Sequence, residues 1–321
     1  MTLGFALASQ MSKGSISMFG DSLTTASLGY GGQLASLYPN TIVDNQGVGG
    51  QTSPNIACRY GVYALTGTLA GNTIPASGGV TVTGLSNVGV PSPFYHWNYT
   101  LGSFACSISG VKGIMSYNNN VVTFTRSAPG ASVSVASTVG ITVLSTVDQS
   151  TISCVGVTPL STSYGRTLLW MAGRNDIYDN ITNSQSYWSL TSVMANTAAA
   201  VAACGSSKFL IMFPAVGESG LTTGESTVGT FSTTTQADSF YSTMFQWRTQ
   251  LAATYPNNFL DFHQIFVTAG QYNSWTPVST TYQIINQTVC SDGTHPIGSS
   301  PQYQLVEAQA VQTFLQTKGW V

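Results

Sequence analysis

The stretch "SMFGDSLTTAS" (residues 17–27) sets an aspartate and a serine directly after a short apolar run and follows them with hydroxyl-bearing and small side chains. Two readings compete for Ser22. Ser and Asp cap helix N-termini, because their oxygens accept the unpaired amide hydrogens there, so a strand could simply run into a capped turn. Alternatively, the strand end presents Ser22 as a nucleophile. That role needs a base, an acid to orient it and donors for an oxyanion, all supplied from elsewhere in the chain.

Working outward from this stretch, residues 14–60 and 166–321 alternate short apolar runs with amphipathic segments. The runs "SISMF" (15–19), "TIVDN" (41–45), "TLLWMAG" (167–173), "KFLIMFP" (208–214) and "NFLDF" (258–262) read as strands. Helix-like segments lie near 29–38, 52–60, 186–204, 236–255 and 300–317. Such alternation is expected of an α/β fold, a parallel sheet covered on both faces. Residues 66–160 differ, lacking a helical period and being rich in Gly, Ser and Thr. Alternating segments such as "GVTVTGL" (79–85), "FACSIS" (104–109), "NVVTFTR" (120–126), "ASVSVAS" (131–137) and "ITVLST" (141–146) read as antiparallel strands, with a hairpin turn at "SYNNN" (116–120). The expected organisation is an α/β domain in two parts, 1–60 and 166–321. Between them, 61–165 forms an inserted β-rich module of β-sandwich or jelly-roll type, hung from the ligand side of the sheet.

The chain has three histidines, His96, His263 and His295. His295 lies in "CSDGTHPIG" (290–298), three residues after Asp292. An Asp-x-x-His turn can aim both side chains the same way, so that the carboxylate holds Nδ1–H and Nε2 faces a nucleophile; the same letters also describe a plain turn with a capping Asp. "NQGVGGQTS" (45–53) follows the second strand. It fails GxGxxG because position 52 is Thr, and no GK[ST] follows, so neither a dinucleotide loop nor a phosphate loop is expected. Its glycines would allow backbone N–H groups to converge on an oxygen. "MAGRNDIYDN" (171–180) places Asn175 just after the third strand, where a side-chain amide could donate to that oxygen. The second residue after Ser22 is Thr24, which rules out the GxSxG elbow of the α/β hydrolases.

Taken in order, "FGDSL" (19–23), "NQGVGGQTS" (45–53), "GRND" (173–176) and "DGTHP" (292–296) resemble the four blocks of the SGNH (GDSL) hydrolase family. The resemblance covers the chain outside the insert. It implies a flavodoxin-like three-layer α/β/α fold with the catalytic groups at the carboxyl ends of the strands. Ser22 would be the nucleophile, His295 the general base and Asp292 its orienter. The Ser22 N–H, the Gly50 N–H and the Asn175 side chain would form the oxyanion hole, Gly50 being preferred to Gly49 because it directly precedes "QTS". The reaction implied is acyl transfer through an acyl-enzyme, without metal or organic cofactor. Arg174 departs from the family pattern, standing where a second glycine is frequent, and the long insert is unusual.

Composition narrows the ester. Charged residues make up 6% of the chain, against about 25% in ordinary soluble domains. Ser, Thr, Asn, Gln and Gly must therefore cover most of the surface. A net charge of −2 without a basic cluster argues against nucleic acid or a membrane as partner. "MTLGFALASQ" makes a poor signal peptide, having no Lys or Arg ahead of its apolar stretch; the neutral, hydroxyl-rich exterior nevertheless suits an extracellular or virion-associated protein. The five cysteines show no metal-ligand spacing. The aromatic run that includes Tyr95, His96 and Trp97 suits stacking on sugar faces, and the β-rich insert resembles modules of SGNH esterases in phage tails. An acetylated carbohydrate is the expected substrate. A general short-chain carboxylesterase or lipase and a polysaccharide O-acyltransferase are the alternatives.

Overall fold

The apolar run before Asp21 becomes a wholly buried strand at the centre of a parallel sheet. The computed structural model describes residues 15–63, 65–87, 101–118, 121–144, 166–183, 189–217, 231, 233–276, 278–297 and 302–321. Its strands are β1 Ile16–Gly20, β2 Val43–Gly47, β3 Leu65–Leu69, β4 Thr73–Ile74, β5 Gly79–Asn87, β6 Leu101–Ile108, β7 Val111–Asn118, β8 Val121–Arg126, β9 Val133–Ser134, β10 Val139–Val143, β11 Thr167–Met171, β12 Phe209–Phe213, β13 Phe259–Asp261, β14 Tyr272–Trp275 and β15 Tyr282–Ile285. Its helices are α1 Gly31–Leu37, α2 Ser53–Tyr60, α3 Arg174–Asn183, α4 Leu190–Cys204, α5 Thr234–Thr254, α6 Phe262–Thr268 and α7 Gln302–Thr317. None of the described helices is long and apolar enough to cross a membrane. Two compact units result: Met1–Ser53 with Arg166–Val201 and Ser206–Val321, and Pro54–Gly165 with Ala202–Gly205.

In the first unit the sheet order is β13-β12-β11-β1-β2, all parallel. Numbered by appearance within the sheet, this is the 2-1-3-4-5 order of flavodoxin-like sheets. The inner strands β1 and β11 are buried along their whole length, as continuous apolar runs covered on both faces must be, whereas the edge strands β2 and β13 are only partly buried. One face carries Ile16, Met18, Leu169, Met171, Leu210 and Met212, packed with Leu34 of α1, Phe262 of α6 and Val311 and Leu315 of α7. On the other, Trp170 donates to Thr197 Oγ1 of α4 at 3.2 Å, and Phe213 meets Trp247 of α5 edge-on. Three layers follow from these contacts. Helix α5 buries Ala237, Phe240, Tyr241, Met244, Trp247 and Leu251, a stripe at helical spacing, and Thr233 caps it by accepting from Gln236 N.

In the second unit the strands form a closed barrel, β10-β3-β5-β8-β7-β6, and not the expected sandwich or jelly roll. The reason is β10, which pairs with β3 on one side and β6 on the other and so leaves no free edge. Leu65, Leu69, Val82, Ile108, Met115, Phe124, Val139 and Ile141 are buried in this unit. Ser109 and Gly110 join β6 to β7, both with positive φ (48° and 79°), the geometry of a tight two-residue hairpin.

Candidate active site

The carboxyl ends of β1 and β11 lie at the point where the strand order reverses, which is where open α/β sheets form crevices. Beyond Gly20 the chain enters a 3-10 turn, Ser22–Thr24. Here Asp21 performs the capping: its Oδ1 accepts from Leu23 N at 2.9 Å, while Ser22 is the first residue of the turn. The two readings of "GDSL" are thus divided between neighbouring residues. Ser22 O accepts from Thr25 N and Thr25 Oγ1, at 3.2 and 2.8 Å, which closes the turn behind it.

The glycine turn after β2 comes close to Ser22: a Cβ built on Gly49 would sit 3.7 Å from Ser22 Cβ. Gly50 has φ 73°, a left-handed conformation that glycine adopts without a Cβ penalty. Asn175, in the first turn of α3, donates to Gln51 O at 2.9 Å and to Asp21 Oδ2 at 3.4 Å. One amide therefore joins the glycine turn to the residue beside Ser22.

The Asp292–His295 turn is closed from within. Asp292 Oδ1 accepts from the N–H groups of Thr294 and His295 at 2.9 and 2.7 Å, and Oδ2 lies 2.6 Å from His295 Nδ1. Burial alone would raise the Asp292 carboxyl, but the hydrogen bonds and charge of His295, helped by those two N–H groups, hold it down at about 2. His295 Nε2 is buried and makes no hydrogen bond to any described residue, Ser22 included. The imidazole is thus fixed through one nitrogen and unpaired at the other.

Asp21 and Arg174 are polar groups of this region to which sequence reasoning gave no part. Asp21 is buried, which pushes its carboxyl up to about 6 against the Leu23 N–H and the charges of Arg174 and His295. Arg174 Nη2 donates to Thr294 Oγ1 at 2.7 Å. Asp176, also buried, accepts from Ser53 N and Ser53 Oγ at 2.7 and 2.6 Å, and Asn196 Nδ2 donates to Ser53 Oγ at 2.9 Å. The one sequence signal for these was a charged or acidic letter beside each expected site residue.

His263 is a core residue. Its Nδ1 accepts from Val216 N at 3.3 Å, Phe213 and Phe245 meet its ring edge-on, and burial and then Arg248 hold its pKa down at about 3. Tyr95, His96 and Trp97, expected to contact substrate, lie outside the described residues.

No protein-family model and no curated protein matches the chain. Among solved structures it is similar to a protein named as an arylesterase from Agrobacterium tumefaciens strain C58, at 10% identity and a TM-score of 0.37, over 96% of this chain and 100% of that one. It is also similar to a peptidoglycan O-acetylesterase, at 10% identity and a TM-score of 0.36, over 98% of this chain and 95% of the other.

Proposed function

We propose that the chain is a serine esterase that removes O-acetyl groups from a carbohydrate. Ser22 is the nucleophile and His295 the general base, oriented by Asp292; the N–H groups of Ser22 and Gly50 and the amide of Asn175 are the oxyanion donors. The observation that carries this reading is the Asp292–His295 pair, whose Nδ1 is taken by a carboxylate while Nε2 is buried and unpaired. A buried polar nitrogen without a partner is costly and calls for a reason. A base awaiting a proton is such a reason.

Ser22 Oγ attacks the acetyl carbon as its proton passes to His295 Nε2. The bond between them is absent in the free protein and forms with substrate, as catalytic hydrogen bonds commonly do. Asn175 is held in place by Gln51 O at 2.9 Å and Asp21 Oδ2 at 3.4 Å, and its amide is the side-chain donor to the oxyanion. The carbon–oxygen bond to the sugar then breaks, the alcohol leaves with the proton held on His295, and water deprotonated by His295 releases acetate from Ser22. The carbohydrate assignment is supported by the near absence of surface charge and by the barrel. Thr68, Thr81, Thr83, Thr123 and Thr125 point outward there, while Leu69, Val82 and Phe124 point in. Threonine hydroxyls both donate to and accept from sugar hydroxyls.

The test compares acetate release from acetylated polysaccharide with hydrolysis of p-nitrophenyl acetate and butyrate. Wild type should prefer acetyl esters, and Ser22→Ala should abolish every activity without loss of folding. Trp97→Ala should slow the polymer reaction about 10-fold or more while sparing p-nitrophenyl acetate. Activity in a folded Ser22→Ala protein refutes the nucleophile. Equal loss on both substrates in Trp97→Ala removes that residue from sugar binding.

A further inference from the structure

The first turn of α3 reaches three separate segments with three consecutive side chains. Arg174 holds Thr294, between Asp292 and His295; Asn175 holds Gln51 O and Asp21 beside Ser22; Asp176 holds Ser53 at the end of the glycine turn. Arg174 and Asp176 have no place in the chemistry above, and of the two Arg174 is the one that cannot shed its charge when buried. A guanidinium removed from water needs counter-charge and hydrogen-bond partners. Facing it are Asp21 from the Ser22 turn, Asp292 and Cys290 from the His295 turn, and Tyr241 of α5. Tyr178 faces it from its own helix, and its Cζ lies 5.7 Å from the centre of the Phe240 ring. Its Nη2 donates to a neutral hydroxyl, so its full charge is shared by two carboxylates on two different turns.

We propose that Arg174 is a positioning residue for the esterase reaction, fixing the turn that carries His295 through Thr294 and offsetting the negative charge of Asp21 and Asp292. The proposal rests on the assignment of Ser22 and His295 made above. A lysine cannot replace the arginine fully. Its ammonium is a point charge without the planar fork that reaches a hydroxyl while facing carboxylates on either side. The electrostatic consequence has a definite sign: the Arg174 charge lowers the Asp21 carboxyl, so its removal lets Asp21 keep its proton to higher pH. Protonation weakens the acceptor that aligns the Asn175 amide. The acid limb of the rate profile should therefore move upward.

The experiment follows p-nitrophenyl acetate hydrolysis by the full chain from about pH 5 to about pH 9. Wild type, Ser22→Ala, Thr294→Val, Thr294→Ser, Arg174→Lys and Arg174→Met are compared, with thermal unfolding of each. Thr294→Val is expected to lower kcat about 10-fold with KM within about twofold, and Thr294→Ser to restore it, since only the hydroxyl differs in function. Arg174→Met should in addition shift the acid limb up by about one pH unit, which Arg174→Lys should not. Wild-type kcat in Thr294→Val overturns the proposal, as does a lowered Tm with unchanged kcat and pH profile. If Arg174→Met does not fold, the Thr294 pair and Arg174→Lys decide the matter alone. An inactive wild type, or an active Ser22→Ala, refutes the esterase reading itself and the proposal with it. A dead Ser22→Ala beside unaffected Thr294 and Arg174 variants refutes only the proposal.

Discussion

Asp176→Asn should make the protein less sensitive to rising pH, by an amount that follows from one buried carboxyl. Asp176 is fully buried, and burial pushes it from 3.8 to about 7 against the hydrogen bonds donated by Ser53 Oγ and Ser53 N. A folded-state value above the unfolded one means that the native protein binds the proton more tightly. The carboxyl therefore costs nothing below 3.8, costs progressively more as pH rises through about 7, and adds no further penalty beyond that. Each pH unit within that window is worth about 1.4 kcal/mol. Raising the pH from about 5 to about 8 should thus remove about 3 kcal/mol of unfolding free energy through this group alone. Asparagine retains the shape, with an oxygen for Ser53 N–H and an amide that donates to Ser53 Oγ. Urea unfolding of both proteins at about pH 5 and about pH 8 isolates the term, because the other titrating groups are common to both and cancel. The variant should lose about 3 kcal/mol less than wild type over that interval. Identical pH dependence in the two proteins would mean that the carboxylate is ionised throughout, and that the hydrogen bonds from Ser53 outweigh its burial.

Asn175→Ala should lower kcat about 100-fold or more with little change in KM, because an oxyanion donor acts in the transition state; a change confined to KM would make Asn175 a substrate contact. Asp292→Asn should cost less activity than His295→Ala, since the base remains but is poorly held, and wild-type activity in Asp292→Asn would remove Asp292 from the site. Gly173→Ala should destabilise the first unit by about 3 kcal/mol, because φ is 144° and the new Cβ would lie 2.6 Å from Val193 Cγ1 and 2.8 Å from Trp247 Cζ2; chemical denaturation with unchanged stability would refute the clash.

The five runs read from the sequence correspond to β1, β2, β11, β12 and β13; for the inner strands β1, β11 and β12 the reason is that a strand buried on both faces must be continuously apolar. The segments carrying Ser22, Gly50 and His295 were legible for a related reason: their Gly, Ser and Asp letters break the apolar runs and helical segments on either side. Other features lay beyond local pattern. Period-two alternation is the same in a sandwich and a barrel, so only the pairing of β10 with both β3 and β6 decided between them. Helix α3 begins at Arg174, inside letters that read as a turn, because its first residues are held by partners elsewhere in the chain. Ser53 lies 123 residues from Asp176, Thr294 lies 120 from Arg174 and Gln51 lies 124 from Asn175. The sequence by itself marked Ser22, Gly50, Asn175 and the Asp292–His295 pair as candidates, from short motifs placed after apolar runs or before helical segments. Which of them share a proton, a charge or a hydrogen bond was decided only by the tertiary structure, because burial and proximity arise from packing distant segments together.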